Sequence, residues 1–132
     1  VKVFLDTNVL ISALATRGLC ADLYERLLTE HEVIIGEPVV AEVLDILQRK
    51  FGAPAVLLTK VEAELRLLQV VPAQTTAPTL PIHDTDDPWI IACALHARVD
   101  CFVTGDAELL GLGSVNNMPI ISPRVCWEKW CN

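Results

Sequence analysis

Val1-Lys2-Val3-Phe4-Leu5-Asp6-Thr7-Asn8 is the stretch on which the reading of the chain turns: a short apolar run stops at a carboxylate and hands over to two small polar residues. Alternate side chains of an extended segment share a face, so Val1, Val3 and Leu5 lie on one side and Phe4 on the other, while Lys2 reaches water from the end. Two apolar faces mark a central strand of a parallel sheet covered by helices. In open parallel sheets ligands collect beyond the carboxyl ends of strands, and Asp6 falls there. Asn8 is placed to cap the apolar helix that follows through Val9, Leu10, Ile11, Ala13 and Leu14. Taken alone, Asp6 serves equally well as a turn former.

Outward from this stretch, helical patterns alternate with short apolar runs. Thr16-Arg17-Gly18 breaks the first helix, and a second spans about Cys20 to His31 with Leu23, Leu27 and Leu28 inward. Val33-Ile34-Ile35 is a strand ended by Gly36, and strand, helices, strand is a parallel crossover. Glu37-Pro38 opens a third helix, whose apolar face of Val39, Val40, Val43, Leu44, Ile46 and Leu47 is flanked by Glu42, with Asp45 expected in solvent. Arg49 and Lys50 sit near its negative end. A fourth helix after Pro54 places Val56, Leu57, Val61, Leu65 and Leu68 at helical spacing and runs into a strand at Gln69 to Pro72. Ala73 to His83, rich in threonine and proline, reads as a flexible loop.

A fifth helix starts at Pro88 with Asp87 at its cap and ends near Arg98. Cys101-Phe102-Val103 makes a fourth strand, stopped by Thr104-Gly105-Asp106. Ala107 to Leu110 is a helical turn, Gly111 to Asn117 a loop and Ile120-Ile121 a fifth strand. Ser122-Pro123 caps a last helix whose Trp127 and Trp130 read as packing residues. No boundary or repeat divides the chain, so residues 1–132 read as a single domain.

Composition narrows the class. The apolar fraction is 52 %, yet the longest apolar stretch, Trp89 to Leu95, is far short of the ~18 residues a membrane span needs, so no membrane association is expected. A strand at the very first residue leaves no room for a signal peptide, and a cytoplasmic location is the expectation. The 5 cysteines are odd in number and contain no Cys-x-x-Cys, which fits reduced thiols, with Cys93 and Cys101 in the core. The apolar surplus suggests a surface covered by a partner. The net charge of −7 is unusual for a nucleic-acid binder, although Arg17, Arg49, Lys50, Arg98 and Arg124 can meet phosphates, Arg17 being the candidate for substrate.

With all strands parallel, Asp6, Asp87 and Asp106 reach one edge of the sheet, and Glu42 leans over it from the third helix. Each ionised pair at ~4 Å would cost on the order of 4 kcal/mol at an effective dielectric of about 20. Either protons are retained with raised pKa values, or a hard, oxygen-preferring cation, Mg²⁺ or Mn²⁺, sits among them. No serine has a matched histidine and acid, no glycine-rich phosphate loop follows a strand, and the histidines lack ligand spacing. A carboxylate-held Mg²⁺ orients and deprotonates water and neutralises charge on a phosphodiester, so nucleic-acid hydrolysis is the natural inference.

Four segments in order carry a family resemblance: Leu-Asp-Thr-Asn-Val-Leu-Ile-Ser at Leu5 to Ser12, Val-Val-Ala-Glu-Val-Leu at Val39 to Leu44, Asp84-x-x-Asp87 before an apolar helix, and Val-Thr-Gly-Asp-x-x-Leu-Leu at Val103 to Leu110. Together they resemble the PIN-domain ribonucleases, notably the toxins of prokaryotic toxin–antitoxin pairs. The resemblance implies a three-layer α/β/α sandwich on a parallel sheet of about five strands, and Mg²⁺- or Mn²⁺-dependent RNA cleavage. By position it gives catalytic and metal-binding roles to Asp6, Glu42, Asp87 and Asp106, with Asn8 and Thr104 as supporting polar groups. It also implies a homodimer and inhibition by a small antitoxin protein whose tail enters the site. Asp87 is preferred to its neighbour Asp86 because it stands three after Asp84; Asp84 and Asp86 remain either outer ligands or loop charges.

Two other classes compete. A PIN-like RNA- or protein-binding module without activity would keep the fold, but no acidic position is missing. A haloacid-dehalogenase-like phosphatase wants a second aspartate where Asn8 stands, and a receiver domain wants paired acids after the first strand and a lysine after the fifth; neither pattern is present.

Overall fold

The computed structural model describes all 132 residues. The elements run β1 (Lys2–Leu5), α1 (Thr7–Ala15), α2 (Leu19–Glu30), β2 (Glu32–Gly36), α3 (Glu37–Phe51), α4 (Ala55–Leu65), β3 (Gln69–Val71), α5 (Asp87–Ala97), β4 (Cys101–Val103), α6 (Ala107–Leu112), β5 (Ser114–Val115), β6 (Met118–Ile121) and α7 (Pro123–Cys126), followed by a π turn over Trp127–Cys131. One sheet of order β3-β2-β1-β4-β6-β5 organises them. β1 pairs in parallel with both β2 and β4, which makes it central. Val3, Phe4 and Leu5 are all 0 % exposed, so helices cover both faces of the sheet, as its two apolar faces predict.

The topology creates the site. From β1 the chain runs outward through β2 to β3 and returns on the other side at β4. The crevice between β1 and β4 is therefore the topological switch point, where open α/β sheets bind ligands. Leu5 pairs with Val103, so Asp6 and Thr104 leave the sheet side by side.

The sheet departs from the expected five parallel strands at one edge. The segment expected as a loop continues α6 to Leu112 and then forms β5, antiparallel to β6. Asn116 and Asn117 make the hairpin turn, with φ of 48° and 69°. Positive φ at both central residues suits the twist of a two-residue hairpin, and asparagine tolerates it. The sheet is thus six-stranded and mostly parallel.

Two cap assignments also shift. Asp6, not Asn8, caps α1, its carboxylate accepting from Thr7 N. Asp86 occupies the cap of α5 without a side-chain bond, which makes Asp87 the first helical residue and buries it. α1 thus begins two residues, and α5 one residue, earlier than the apolar pattern suggests. The inward face of α4 is shorter than its spacing implies: Val61 and Leu65 are buried, whereas Val56 is 83 % exposed and Leu57 44 %. Gly52 ends α3 in the left-handed region at φ 64°, a geometry that glycine adopts without strain. Residues 73–86 are irregular, as their composition suggests, and all five cysteines are free, with Cys93 and Cys101 buried.

Candidate active site

Asp6 is only 3 % exposed, and hydrogen bonds compensate its burial. Oδ1 accepts from Thr7 N at 2.8 Å. Oδ2 accepts from the Thr104 hydroxyl at 2.7 Å and from Asn8 Nδ2 at 3.1 Å. Burial raises the Asp6 pKa to about 6; the Thr104 hydroxyl and the Thr7 amide pull against that rise, and the charges of Glu42 and Asp106 add to it.

Thr104 is the hub between the two strand ends. Its hydroxyl donates to Asp6 and accepts from Asn8 Nδ2 at 3.2 Å and from Asp106 N at 3.0 Å, which exhausts a hydroxyl's capacity. The remaining Asn8 acceptor takes Gly105 N at 2.8 Å. A Cβ at Gly105 would lie 3.3 Å from Asn8 Oδ1, so glycine lets the β4 turn approach α1 this closely. Asp106 then caps α6, Oδ1 accepting from Glu108 N at 2.8 Å and Leu109 N at 3.2 Å.

Glu42 and Asp87 approach from α3 and α5. Burial raises the Glu42 pKa, the Thr7 hydroxyl opposes the rise, and the charges of Asp84, Asp86 and Asp45 add to it. That hydroxyl is buried and makes no hydrogen bond of standard geometry, although it is close enough to Glu42 to favour the ionised form. Asp87 is raised to about 7, first by burial and then by the charges of Asp6, Asp84, Asp106 and Glu42. The carboxyls of Asp6 and Asp87 are thus each raised in part by the charges of Glu42 and Asp106. Asp84 and Asp86 lie exposed at its rim, Asp84 Oδ1 accepting from Asp86 N at 2.8 Å. Asp45 faces away into an exposed pair with Arg49 at 3.0 Å.

The donor set is entirely oxygen, which matches a hard divalent cation. No three Asp, Glu, His or Cys side chains yet stand close enough to ligate one ion, so the acids are gathered but not closed. On the chemistry of that donor set, with the buried Asp87 carboxyl accepting no hydrogen bond, the residues fit such a cation.

Sequence reasoning passed over Thr7, Gly105 and Glu108; only the Thr-Gly-Asp tripeptide hinted that Gly105 matters. Beside the acids runs an open groove of about 420 Å³, lined by Asn8, Val9, Ser12, Cys20, Gly105, Asp106 and Pro123. Arg17 is exposed and unpaired on the connection between α1 and α2, the helices that supply Ser12 and Cys20.

Comparison with known proteins agrees with this fold. A family model described as PIN domain matches residues 2–108. No curated protein matches. Among solved structures, VapBC2 from Rickettsia felis, bound to a DNA fragment from its promoter, superposes with TM-score 0.65 at 13 % identity, covering 92 % of this chain and 98 % of that one. VapC20 of Mycobacterium tuberculosis, a toxin that cleaves the sarcin–ricin loop, gives 0.62 at 16 %, with 89 % and 99 % covered. The PIN-domain endonuclease Utp24 gives 0.54 at 21 %, with 92 % and 84 % covered.

Proposed function

Because the chain belongs to the PIN-domain family, we propose that it is a Mg²⁺- or Mn²⁺-dependent endoribonuclease that acts as the toxin of a toxin–antitoxin pair. The observation that carries this reading is the crevice between β1 and β4, where Asp6 and Asp106 emerge locked to a shared Thr104 and Glu42 and Asp87 raise the local negative potential. Asp6, Glu42, Asp87 and Asp106 are the residues that would hold the cation. Once bound, it would supply charge neutralisation at the phosphodiester and a more acidic water.

The chain's own residues do the positioning. Thr104 and Asn8 fix the Asp6 carboxylate in one orientation, and Thr7 N holds its other oxygen. Asp87, with no donor to it, keeps its proton to higher pH than an ordinary carboxyl. The RNA strand would lie along the groove past Ser12 and Cys20, with Arg17 meeting a phosphate. A strand entering from that side keeps its phosphates off the exposed Asp84 and Asp86.

A partner surface is supported by the apolar side chains left in water around α3 and α4: Phe51 is 57 % exposed, beside Val56 and Leu57. Phe51 and Leu57 line a groove together with Leu14, Leu47, Ala53, Pro54 and Val61. We assign partner contacts of the chain, a small antitoxin and a second copy, to such apolar surface; the likeness to VapBC2 supports the antitoxin. No helix is long and apolar enough to cross a membrane, and the cytoplasm is the compartment proposed.

The second reading, a PIN-like RNA- or protein-binding module without catalysis, is favoured by a single observation, the acids that are gathered but not closed. Cleavage of labelled total RNA by wild type and Asp6→Asn, each with Mn²⁺ or EDTA, separates the two. Cutting confined to Mn²⁺-loaded wild type supports the nuclease. Metal binding without cleavage of any RNA supports the module.

A further inference from the structure

Glu108 is an exposed residue in the first turn of α6, and both its backbone N–H and its carboxylate are engaged. Its backbone N–H donates to Asp106 Oδ1 at 2.8 Å. Its carboxylate takes both available groups of one residue from the far side of the crevice: Oε1 accepts from His83 N at 3.2 Å, and Oε2 meets His83 Nδ1 at 2.6 Å. His83 lies in the irregular segment that follows β3 and directly precedes the turn of Asp84 to Asp87. One residue thus grips Asp106 with its backbone and the Asp84–Asp87 turn with its side chain.

No other side-chain hydrogen bond ties that turn to another element. α5, which carries Asp87 as its first residue, has no side-chain cap. The bond from Asp86 N to Asp84 Oδ1 is internal to the turn, and Asp86 O joins it only to the helix that follows, accepting from Trp89 N and Ile90 N. Leu80 and Ile82 seat the preceding stretch against the core, but upstream of the acids. An isolated exposed ion pair contributes little to stability, and the value of this clamp is accordingly geometric.

We infer that Glu108 and His83 form a positioning clamp that sets the spacing between Asp87 and Asp106, and with it the affinity of the acidic site for a divalent cation. The inference rests on the nuclease reading for its consequence in catalysis, whereas the clamp itself can be read without metal. Glu108 acts through Asp106 and His83.

The test uses the full chain with Glu108→Ala, Glu108→Gln, His83→Ala and the double Ala variant. Three quantities are read: amide hydrogen exchange over residues 83–89 in EDTA, Mn²⁺ affinity by titration calorimetry, and kcat and KM on an RNA the wild type cuts. The clamp predicts faster exchange in either Ala variant. It also predicts Mn²⁺ binding weakened by about tenfold, the lower end of the range for outer-shell partners, and a fall in kcat with KM unchanged. The double variant is no worse than Glu108→Ala, and Glu108→Gln, which still accepts from His83 N, recovers part of the loss. Unchanged exchange and unchanged Mn²⁺ affinity in Glu108→Ala overturn the clamp. So does a loss in Glu108→Ala that His83→Ala does not share, which would make Glu108 a direct ligand. If wild type binds no Mn²⁺ while exchange responds as expected, the clamp stands as a structural device and the nuclease reading is what fails.

Discussion

Thr104 donates its hydroxyl to Asp6 Oδ2 at 2.7 Å across 98 positions of sequence, in a site where the threonine is wholly buried. This bond joins the end of β4 to the end of β1 and orients the central carboxylate.

Replacing that hydroxyl has a defined outcome. Thr104→Val keeps the shape but leaves Asp6 Oδ2, Asn8 Nδ2 and Asp106 N short of a partner. Unsatisfied buried groups cost about 1–3 kcal/mol, so urea unfolding should show a loss of that order, and RNA cleavage should fall with it. Thr104→Ser should restore both. A Val variant as stable and active as wild type would show that Asp6 is held by its other bonds alone.

Asp6→Asn separates chemistry from stability. The site loses one of several mutually repelling acids, so in EDTA its melting temperature should equal or exceed that of wild type, while cleavage with Mn²⁺ disappears. Asp45→Asn, which breaks only an exposed pair with Arg49, should be neutral in both assays. A marked drop in melting temperature for Asp6→Asn would make the residue structural.

The pH dependence has a definite sign. Asp6 and Asp87 have folded pKa values of about 6 and about 7, above the ordinary carboxyl value. The native state therefore holds these protons more tightly than the unfolded chain. The associated stability is fully present below about pH 4 and lost as pH rises through 6 to 7. These two groups should make metal-free protein less stable at pH 8 than at pH 5, by a few times ~1.4 kcal/mol. Added Mn²⁺ should flatten the slope, and Mn²⁺ affinity should climb over the same window. Thermal melts in EDTA and in Mn²⁺ across this range provide the check; an upward slope in EDTA contradicts the assignment.

Cys20 offers a probe of the groove. It is the one cysteine not buried, so a thiol reagent on native protein should modify it alone. A single-stranded RNA oligonucleotide with uncleavable linkages should protect it, and a bulky adduct there should block cleavage while leaving Mn²⁺ affinity unchanged. Labelling at the same rate with and without the oligonucleotide would place the strand elsewhere.

How much of this was legible in the chain follows from distance along it. The apolar run ending at Asp6, the Val-Thr-Gly-Asp segment and the acid beside the stripe of α3 all signalled a sheet edge lined with carboxylates, because strand and helix periods are local and each element carries its own. The β5–β6 hairpin was also local, written in Asn116-Asn117, and passed over because strands this short carry little apolar pattern.

By itself, then, the sequence determined a central parallel strand, its flanking helices, the order of the acids and the family they resemble. Only the tertiary structure decided that Asp6 rather than Asn8 caps α1, that Thr104 and Asn8 close one network around Asp6, that α4 leaves its first turn in water, and that Glu108 reaches His83. Hydrogen-bond partners across 25 to 98 positions and the burial of one helix face depend on which surfaces meet after the chain folds, and no periodicity within an element encodes that.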